Sequence, residues 1–522
     1  MLTQRAIEQG RLTLTTPVQQ FLPQGLLQNP YEAQAPVQIV HLLEHTAGID
    51  DMSLHAIYRD QEVLDTPLNA LRHDAVALSV RWQPGTKMAY SNVGYSVLAA
   101  VLEQVYQRDF DSLMREQVLT PLALHDTVMS NAEATHGEYA QGYTGGDSTG
   151  NGVTDVGLPP IWHRAAGTIW STAHDLALLG RFLLSEGRSQ PGVLRAETVR
   201  DMRRVHSTEA ARAGLEWGYG LGLFQQQLHG LHQFGHNGAI DGFSANLFFD
   251  PERGVGYAEI HNSDNTLVKF ARPLSGYVQS LPVQTPVPVP AVQPVPAALA
   301  QALKGWYRYS NPRHEIMRGA DWLTGAWHAE IVDNELVLQP LQGEPVRLQY
   351  LGGDRWRDME NGQIDTIMLR DAGGNIVAID TDGTHFVRSS LFAVFAPLAA
   401  LILSLLTLVT APFGRRRALQ NPWLRRLNLS ALLSLGLVIA GLATIEGMKT
   451  VAMVNLSSIL VFAGTLLLPV LSVVALMAWL SQWRHEVAKV AKWRSLLGTL
   501  GAATFSIYFA CFNWLGLALW LR

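Results

Sequence analysis

Residues 83–95 read Gln-Pro-Gly-Thr-Lys-Met-Ala-Tyr-Ser-Asn-Val-Gly-Tyr, and this stretch decides the fold of the first half of the chain. Pro84-Gly85 is typical of a tight turn. Over residues 95–106 apolar side chains recur three and four positions apart, as they do on one face of a helix. The pattern predicts a helix that begins near Val93, directly after the polar triplet at 90–92.

Working outward, residues 37–45 and 173–184 show the same helical spacing. Residues 243–249 and 254–261 alternate instead as half-buried strands and flank Asp250-Pro251-Glu252-Arg253, which predicts a β-hairpin. Helices mixed with antiparallel strands predict an α+β fold in which a sheet is covered by helices.

The composition excludes several classes of protein. Of the 522 residues, 48% are apolar and only 16% are charged, below the roughly 25% charged of an ordinary soluble domain. The net charge is -5 and no basic block precedes residue 380, so the electrostatic footprint of a nucleic-acid-binding protein is missing. A single cysteine, Cys511, excludes an intrachain disulfide framework, a cysteine zinc cage and a redox pair.

Four charge-free spans account for the low charge, at residues 390–414, 427–445, 450–483 and 495–521. Each reaches the roughly 17 to 25 residues with which a helix crosses the hydrocarbon of a bilayer. They predict a region of four transmembrane helices over residues 389–522, with buried soluble helices as the alternative. Glu446 and Lys449 fall between spans rather than within one, so the helices are interpreted as an anchor in the lipid bilayer.

Basic residues in the loops after the first and third spans predict the orientation, because short basic loops stay in the cytoplasm. These residues are Arg415, Arg416, Arg417, Arg425, Arg426, Arg484, Lys489, Lys492 and Arg494. Residues 1–388 are then extracytoplasmic or periplasmic, beside a cell membrane crossed several times. Export requires a signal, yet Met1-Leu2-Thr3-Gln4-Arg5 does not open a signal peptide.

Between the two halves lie a linker and a smaller domain. Six prolines between residues 281 and 297 predict an extended linker over 281–300. Residues 301–388 alternate in short segments broken by glycine turns, which predicts a small antiparallel β domain. We interpret it as a packing or spacer module, with a ligand-holding barrel as the alternative.

Three motifs occur in a fixed order, at residues 40–49, 83–95 and 235–238, the last reading Gly-His-Asn-Gly. Supporting motifs lie at 166–176 and 7–12. The ordered set resembles the class C β-lactamase family of penicillin-recognising serine hydrolases, which includes D-alanyl-D-alanine carboxypeptidases and esterases. The resemblance covers about residues 1–280 and implies a β-lactamase/transpeptidase-like hydrolase domain there.

The resemblance implies roles for five residues. Tyr90 is the expected general base and then acid, and His236 takes the cationic position of a Lys/His-x-Gly strand. Asn92 is expected to hold the substrate, Gly238 to let the strand approach it, and the backbone N–H of Ala239 to donate to an oxyanion. A tyrosine acts as base only where positive charge stabilises its phenolate, and His236 offers that charge only when protonated.

The nucleophile that the family carries, Ser-x-x-Lys, does not occur in the sequence. In the family it precedes the segment that corresponds to residues 6–12, so we expect it shortly upstream of Met1. One truncated N-terminus would explain both the missing nucleophile and the missing export signal. A naturally nucleophile-free pseudoenzyme is the alternative.

Each motif also has a plainer interpretation. Ser91 and Asn92 are typical helix caps, and Asn237-Gly238 is typical of a tight turn, which would leave His236 as a surface histidine.

Other histidines and a lysine near the motifs are interpreted as structural. A zinc site at His229, His232 and His236 is disfavoured because a strand places His229 on the opposite face and no His-Glu-x-x-His occurs. His45 is interpreted as structural, and Lys87 as an exposed lysine.

The sequence thus predicts a membrane-anchored serine hydrolase that acts on a β-lactam, a D-amino-acid peptide or a small ester through an acyl-enzyme. It predicts no metal and no organic cofactor. The rival hypothesis is a non-catalytic extracytoplasmic binding or sensor protein that uses the same cleft. The sequence leaves the substrate and the oligomeric state open.

Overall fold

The computed structural model describes residues 1–57, 66–134, 139–145, 152–158, 161–228, 231–263, 273–274, 276–278, 280–283, 290–413, 422–445, 452–481 and 489–521. The chain divides into two units. The first unit consists of Met1–Met52, Arg59–Arg313 and Trp327–Arg388. The second unit consists of Ser53–Tyr58, His314–Ala326 and Ser389–Arg522.

Short helices dominate the described part of the chain up to residue 303, and two longer helices match the sequence periodicity. In chain order they are α1 Leu2–Glu8, α2 Ile39–Leu43, α3 Leu54–Ile57, α4 Pro67–His73, α5 Asn92–Tyr106, α6 Phe110–Met114, α7 Asn131–Ala134, α8 Arg164–Gly167, α9 Ala173–Leu184, α10 Ala196–Asp201, α11 Glu209–Arg212 and α12 Ala297–Leu303. The helices predicted within residues 95–106 and 173–184 are α5 and α9. Of these helices, α3 belongs to the second unit.

Before the barrel, the described residues of the first unit form an open sheet of four antiparallel strands in sequence order. The strands of this region are β1 Gly142–Gly145, β2 Val153–Val156, β3 Phe224–Leu228, β4 Leu231–Ile240, β5 Phe243–Asp250 and β6 Val255–His261. The sheet order is β3-β4-β5-β6, and β1 and β2 form a separate hairpin. The predicted hairpin is confirmed as β5 and β6, in which Phe249 pairs with Gly256.

Helix α9 packs against β5 and β6. Gly180 allows this close approach, because a Cβ at that position would stand 2.9 Å from Cδ1 of Leu247. A helix laid on an antiparallel sheet is the predicted α+β arrangement, which the structure confirms.

A closed eight-stranded barrel follows in the first unit, ordered β10-β11-β12-β13-β14-β7-β8-β9. Its strands are β7 Gly305–Tyr309, β8 Ala326–Val332, β9 Glu335–Pro340, β10 Val346–Tyr350, β11 Arg355–Asp358, β12 Thr366–Arg370, β13 Ile376–Thr381 and β14 Thr384–Ser389. Its core is filled by fully buried side chains that include Leu336, Leu348 and Trp356. The domain boundaries at 281–300 and 301–388 remain predictions.

The second unit contains the long helices. Its helices after α12 are α13 Arg318–Thr324, α14 Leu391–Thr410, α15 Pro422–Ala443, α16 Leu456–Ser481 and α17 Lys489–Cys511. Among the described residues, three helices are long and apolar enough to cross a membrane: Leu391–Thr410, Trp423–Ala443 and Leu456–Ser481.

The predicted count of four apolar spans is not matched, and α17 is the difference. Lys489, Lys492 and Arg494 occupy its first turns. The helix ends at Cys511, before Asn513 turns to a positive φ of 57°. The charge-free stretch at 495–521 is therefore not one continuous helix. The side-chain amide of Asn428 in α15 donates to the Ser495 carbonyl of α17 at 3.3 Å, so α17 packs against α15 within this unit.

Candidate active site

Tyr90 lies on a short extended segment that is fixed by the loop after α2. The N–H of Ala89 donates to the His45 carbonyl at 2.8 Å, and the N–H of Ser91 donates to Nδ1 of His45 at 3.1 Å. Ser91 is the N-cap of α5, since its hydroxyl accepts from the N–H of Gly94. The capping interpretation therefore holds for Ser91, while Asn92 is the first residue of the helix. Tyr90 is held in place from both sides.

His236 reaches Tyr90 from β4. The ring centroids of the two side chains are 6.2 Å apart, and both residues line one cleft of the first unit. Nδ1–H of His236 donates to the Asn237 carbonyl, which leaves Nε2 as the acceptor of the neutral ring. Burial lowers the pKa of His236 below 6.5, and the Asn237 carbonyl only partly opposes this. The imidazole is therefore mainly neutral at pH 7 and does not supply the expected positive charge.

Arg313 is the cation that stands beside Tyr90. Its guanidinium carbon lies 4.7 Å from the centroid of the Tyr90 ring. Nε and Nη2 of Arg313 bind Oδ2 of Asp51 at 2.7 and 2.6 Å, and Asp51 is buried while the Arg313 side chain is 51% exposed. Sequence reasoning missed both residues. Arg313 belongs to no motif, and the only signal for Asp51 was its position just after the motif at 40–49.

Asp51 also holds Asn92. Its Oδ1 accepts from the backbone N–H of Asn92 at 2.7 Å and from the Asn92 amide at 3.0 Å. The amide nitrogen of Asn92 thus donates to the Asp51 carboxylate, and its other hydrogen and its carbonyl oxygen are the groups that can meet a ligand.

The pKa values at this site follow from burial and from the ion pair. Burial alone would raise the pKa of Asp51, but Arg313 and the hydrogen bonds from Asn92 and Met52 lower it below its usual value. Burial raises the pKa of Tyr90, the Asp51 carboxylate raises it further, and Arg313 opposes both. The resting Tyr90 is consequently a neutral phenol that donates a proton more readily than it accepts one.

The end of β4 is an open edge. Strand β3 pairs with β4 only as far as Gly235, opposite Phe224. Asn237, Gly238 and Ala239 are exposed, and a Cβ at Gly238 would meet no atom within 4 Å. Backbone groups on such an edge are available to a ligand. The roles expected for Gly238 and Ala239 remain predictions.

Lys87 and His232 are not among the described residues that line the cleft. Lys87 is half-buried rather than exposed, and its ammonium donates to the hydroxyl of Ser310 at 3.2 Å. His232 stacks on Trp217, and His229 lies outside the described residues. Met1, Leu2 and Thr3, at the start of α1, line the same cleft as Tyr90.

The sequence also contains one Thr-x-x-Lys, at Thr266 and Lys269. It follows β6 and lies outside the described residues.

His45 packs against the inner side of Tyr90, with ring centroids 4.1 Å apart. It is 3% exposed, and burial lowers its pKa to about 3. Its Nδ1 accepts from Ser91, so Nε2 carries the proton of the neutral ring, and this buried Nε2 has no hydrogen-bond partner among the described residues. His45, which the sequence indicated as structural, therefore packs against the buried side of the Tyr90 ring.

Acid is expected to destabilise the first unit through His45. A folded pKa of about 3 against 6.5 when unfolded means that the unfolded chain binds more protons between these values. The free energy of unfolding therefore falls as the pH drops through this window, by about 1–2 kcal/mol at pH 5. Thermal unfolding midpoints from pH 7 to 4.5 measure the slope.

His45→Asn removes the titrating ring and suits the positive φ of 55°. It should flatten the slope, whereas His125→Asn at an exposed position should not. An unchanged slope in His45→Asn would contradict this origin of the acid sensitivity.

The sequence of the chain is similar to those of known proteins. The sequence model of the family described as Beta-lactamase matches residues 1–274. The chain belongs to the beta-lactamase family. Its relatives include Penicillin-binding protein 4 of Amycolatopsis lactamdurans, 28% identical over 275 residues that cover 50% of this chain and 68% of that protein.

A second relative in the family is the D-aminopeptidase of Cereibacter sphaeroides (strain ATCC 17029 / ATH 2.4.9), 25% identical over 252 residues. That match covers 47% of this chain and 45% of the aminopeptidase, so the chain spans less than half of that relative. Among solved structures, the octameric penicillin-binding protein homologue from Pyrococcus abyssi is 19% identical, with a TM-score of 0.44 over 74% of this chain and 85% of that chain.

Proposed function

We propose that residues 1–280 form a serine hydrolase domain of class C β-lactamase type that acts on an amide or ester in the cleft of Tyr90 and His236. The observation that carries the proposal is that Tyr90, Asn92 and His236, from two distant motifs, line one cleft beside an open strand edge. The names of the relatives, a penicillin-binding protein and a D-aminopeptidase, favour a β-lactam or a D-amino-acid peptide over a simple ester.

The proposed chemistry is acyl transfer in two steps. A hydroxyl oxygen attacks the substrate carbonyl and forms the acyl bond while the C–N or C–O bond to the leaving group breaks. Tyr90, a phenol at rest, gives its proton to the leaving group. It regains one from the attacking hydroxyl when a nearby cation stabilises the phenolate. The N–H of Ala239 donates to the oxyanion. In the second step water attacks the acyl carbonyl and forms the new C–O bond, the acyl bond to the hydroxyl oxygen breaks, and Tyr90 passes a proton from the water to that oxygen.

In the proposed mechanism, Nε2 of the neutral His236 ring accepts a hydrogen bond from the substrate. Arg313 provides the fixed positive charge that His236 lacks, although Asp51 balances much of it.

We propose further that the second unit anchors the protein in the cell membrane with residues 1–388 on the extracytoplasmic side. Three helices of sufficient length and hydropathy support the anchor. Arg425 and Arg426 near the start of α15 support the orientation, because basic residues flanking a span favour the cytoplasm. We also propose that α17 crosses the membrane as a fourth helix.

Covalent labelling tests the proposed chemistry. We expect the 522-residue chain not to be acylated by a fluorescent penicillin or a fluorophosphonate, since Ser-x-x-Lys does not occur in it. Because Met1, Leu2 and Thr3 line the cleft, helical extensions of α1 that carry Ser-x-x-Lys in successive registers should restore labelling in one register. The matched Ser→Ala extension should abolish it.

Labelling of a serine in the unextended chain, located by mass spectrometry, would contradict this account of the nucleophile. Failure of every register would contradict the acyl-enzyme.

The absence of Ser-x-x-Lys favours one other candidate, a non-catalytic binding or sensor protein that uses the same cleft. Such a protein would bind amides without turnover in every register of the extension series.

A further inference from the structure

The strand register shows that one face of the sheet changes from polar to apolar along β4. Side chains two apart on a strand share a face, and directly paired residues share it across strands. His236, Gly238 and Ile240 of β4 therefore lie on one face. Gly238 pairs with Ala245 and Ile240 pairs with Phe243.

The same face continues on β6, where Ile260 pairs with Ala245. From His236 the face passes over a floor of small residues, Gly238 and Ala245, to the apolar side chains of Ile240, Phe243 and Ile260. Four residues of strand span about 13 Å. The apolar end therefore lies within reach of a ligand whose carbonyl stands near Ala239.

Three further side chains extend this apolar end across the cleft. Trp170 meets the Phe243 ring edge-on at 5.1 Å and the Tyr139 ring at 5.8 Å. Ile169 stands beside Trp170 in the chain, and all of these side chains line the cleft. We call this set the apolar wall; it consists of Tyr139, Ile169, Trp170, Phe243 and Ile260.

The apolar wall is fixed in position before any ligand arrives. The indole N–H of Trp170 donates to Oδ1 of Asn131 at 2.8 Å, and its backbone forms a two-bond bridge with Val128. Phe243 rests on Gly142, where a Cβ would stand 2.5 Å from its ring. A preformed surface costs little conformational entropy when a ligand binds.

The apolar wall is nevertheless open to solvent. Tyr139, Ile169 and Ile260 are 44%, 46% and 38% exposed. Apolar surface of this kind gains about 25 cal/mol for each Å² that a ligand covers, and edge-on aromatic contacts add to it. The same cleft is also lined by Tyr90, Asn92 and Arg313, which offer polar groups and charge.

We infer that the cleft selects amides that carry a large apolar side chain, aromatic above all, which seats on the apolar wall while the carbonyl lies between Tyr90 and the β4 edge. This inference rests on the proposed function and names its substrate class. Trp170 and Ile260 are then specificity-determining residues, because they contact the side chain of the substrate and not its reacting carbonyl.

Two amides that differ only in their side chain test the inference. Each enantiomer of N-acetyl-phenylalanine amide and of N-acetyl-alanine amide is titrated by calorimetry into the full chain in lipid nanodiscs, with empty nanodiscs subtracted. We expect one phenylalanine amide to bind about 10-fold more tightly than its alanine counterpart, or better. Trp170→Ala should remove most of this preference while leaving the alanine amide within about twofold.

Ile260→Ser provides a second, smaller change at an exposed position, and Trp306→Ala, on β7 of the barrel and outside the cleft lining, is the matched control. Equal binding of the two amides, or equal losses for both in Trp170→Ala and Ile260→Ser, would overturn the inference and leave the proposed function standing. Absence of binding by every amide would also overturn the inference, whereas the labelling series with Ser-x-x-Lys extensions tests the proposed function separately.

Discussion

Replacing Tyr90 with phenylalanine is expected to slow acylation by about 10²- to 10⁴-fold in the extended chain that carries Ser-x-x-Lys. The change removes one oxygen from a ring that stays packed between His45 and the Arg313 guanidinium. The fold should therefore persist, and the loss should fall on proton transfer to the leaving group. Stopped-flow labelling with a fluorescent penicillin measures the rate.

Tyr139→Phe is the matched control, because it removes the same oxygen from another tyrosine of the cleft, whose ring packs against Trp170. It should retain near-full acylation. Near-full acylation in Tyr90→Phe would remove Tyr90 from the mechanism, whatever its position in the cleft.

Replacing Asp51 with alanine is expected to lower the free energy of unfolding of the first unit by about 2–4 kcal/mol. The buried carboxylate accepts hydrogen bonds from Asn92, Met52 and Arg313, so its removal leaves buried donors unpaired. The Arg313 guanidinium would also lose its anchor over Tyr90. Denaturant unfolding followed by tryptophan fluorescence measures the stability.

Asp51→Asn tests how much of that loss belongs to charge, since the amide retains an acceptor for the N–H of Asn92. The free energy of unfolding of Asp51→Asn should lie between those of the parent chain and of Asp51→Ala. Asp155→Ala, at an exposed carboxylate on β2, should change stability by less than about 0.5 kcal/mol. A loss in Asp51→Ala no larger than in Asp155→Ala would show that the ion pair has no structural role.

The parts of the fold that the sequence predicted depend on neighbours in the chain. The helical spacing at residues 95–106, the cap at Ser91 and the hairpin around Asp250-Pro251 are short-range features. The apolar spans were predictable in the same way, by length and composition. The prediction that residues 495–521 form one apolar helix was wrong. Helix α17 ends at Cys511, and the backbone turns to a positive φ at Asn513.

The site was only partly predictable. The family motifs indicated Tyr90, Asn92 and His236 as candidate site residues. In the structure these three residues line one cleft. Arg313 follows the first strand of the barrel and carries no motif, so nothing local indicated that it lies over Tyr90. The apolar wall likewise brings together Trp170 and Phe243, which lie more than 70 residues apart in the sequence and whose contact no local pattern indicated.

By itself the sequence determined the two longer helices α5 and α9, the hairpin of β5 and β6, the motif residues that line the cleft, and that the last quarter of the chain is apolar. Those properties follow from backbone preferences and hydropathy over a few residues. Only the tertiary structure decided that His236 is neutral, that Tyr90 rests as a phenol and that Arg313 is the cation beside it. Burial and charge separation set these states, and both depend on groups that meet only after the chain has folded.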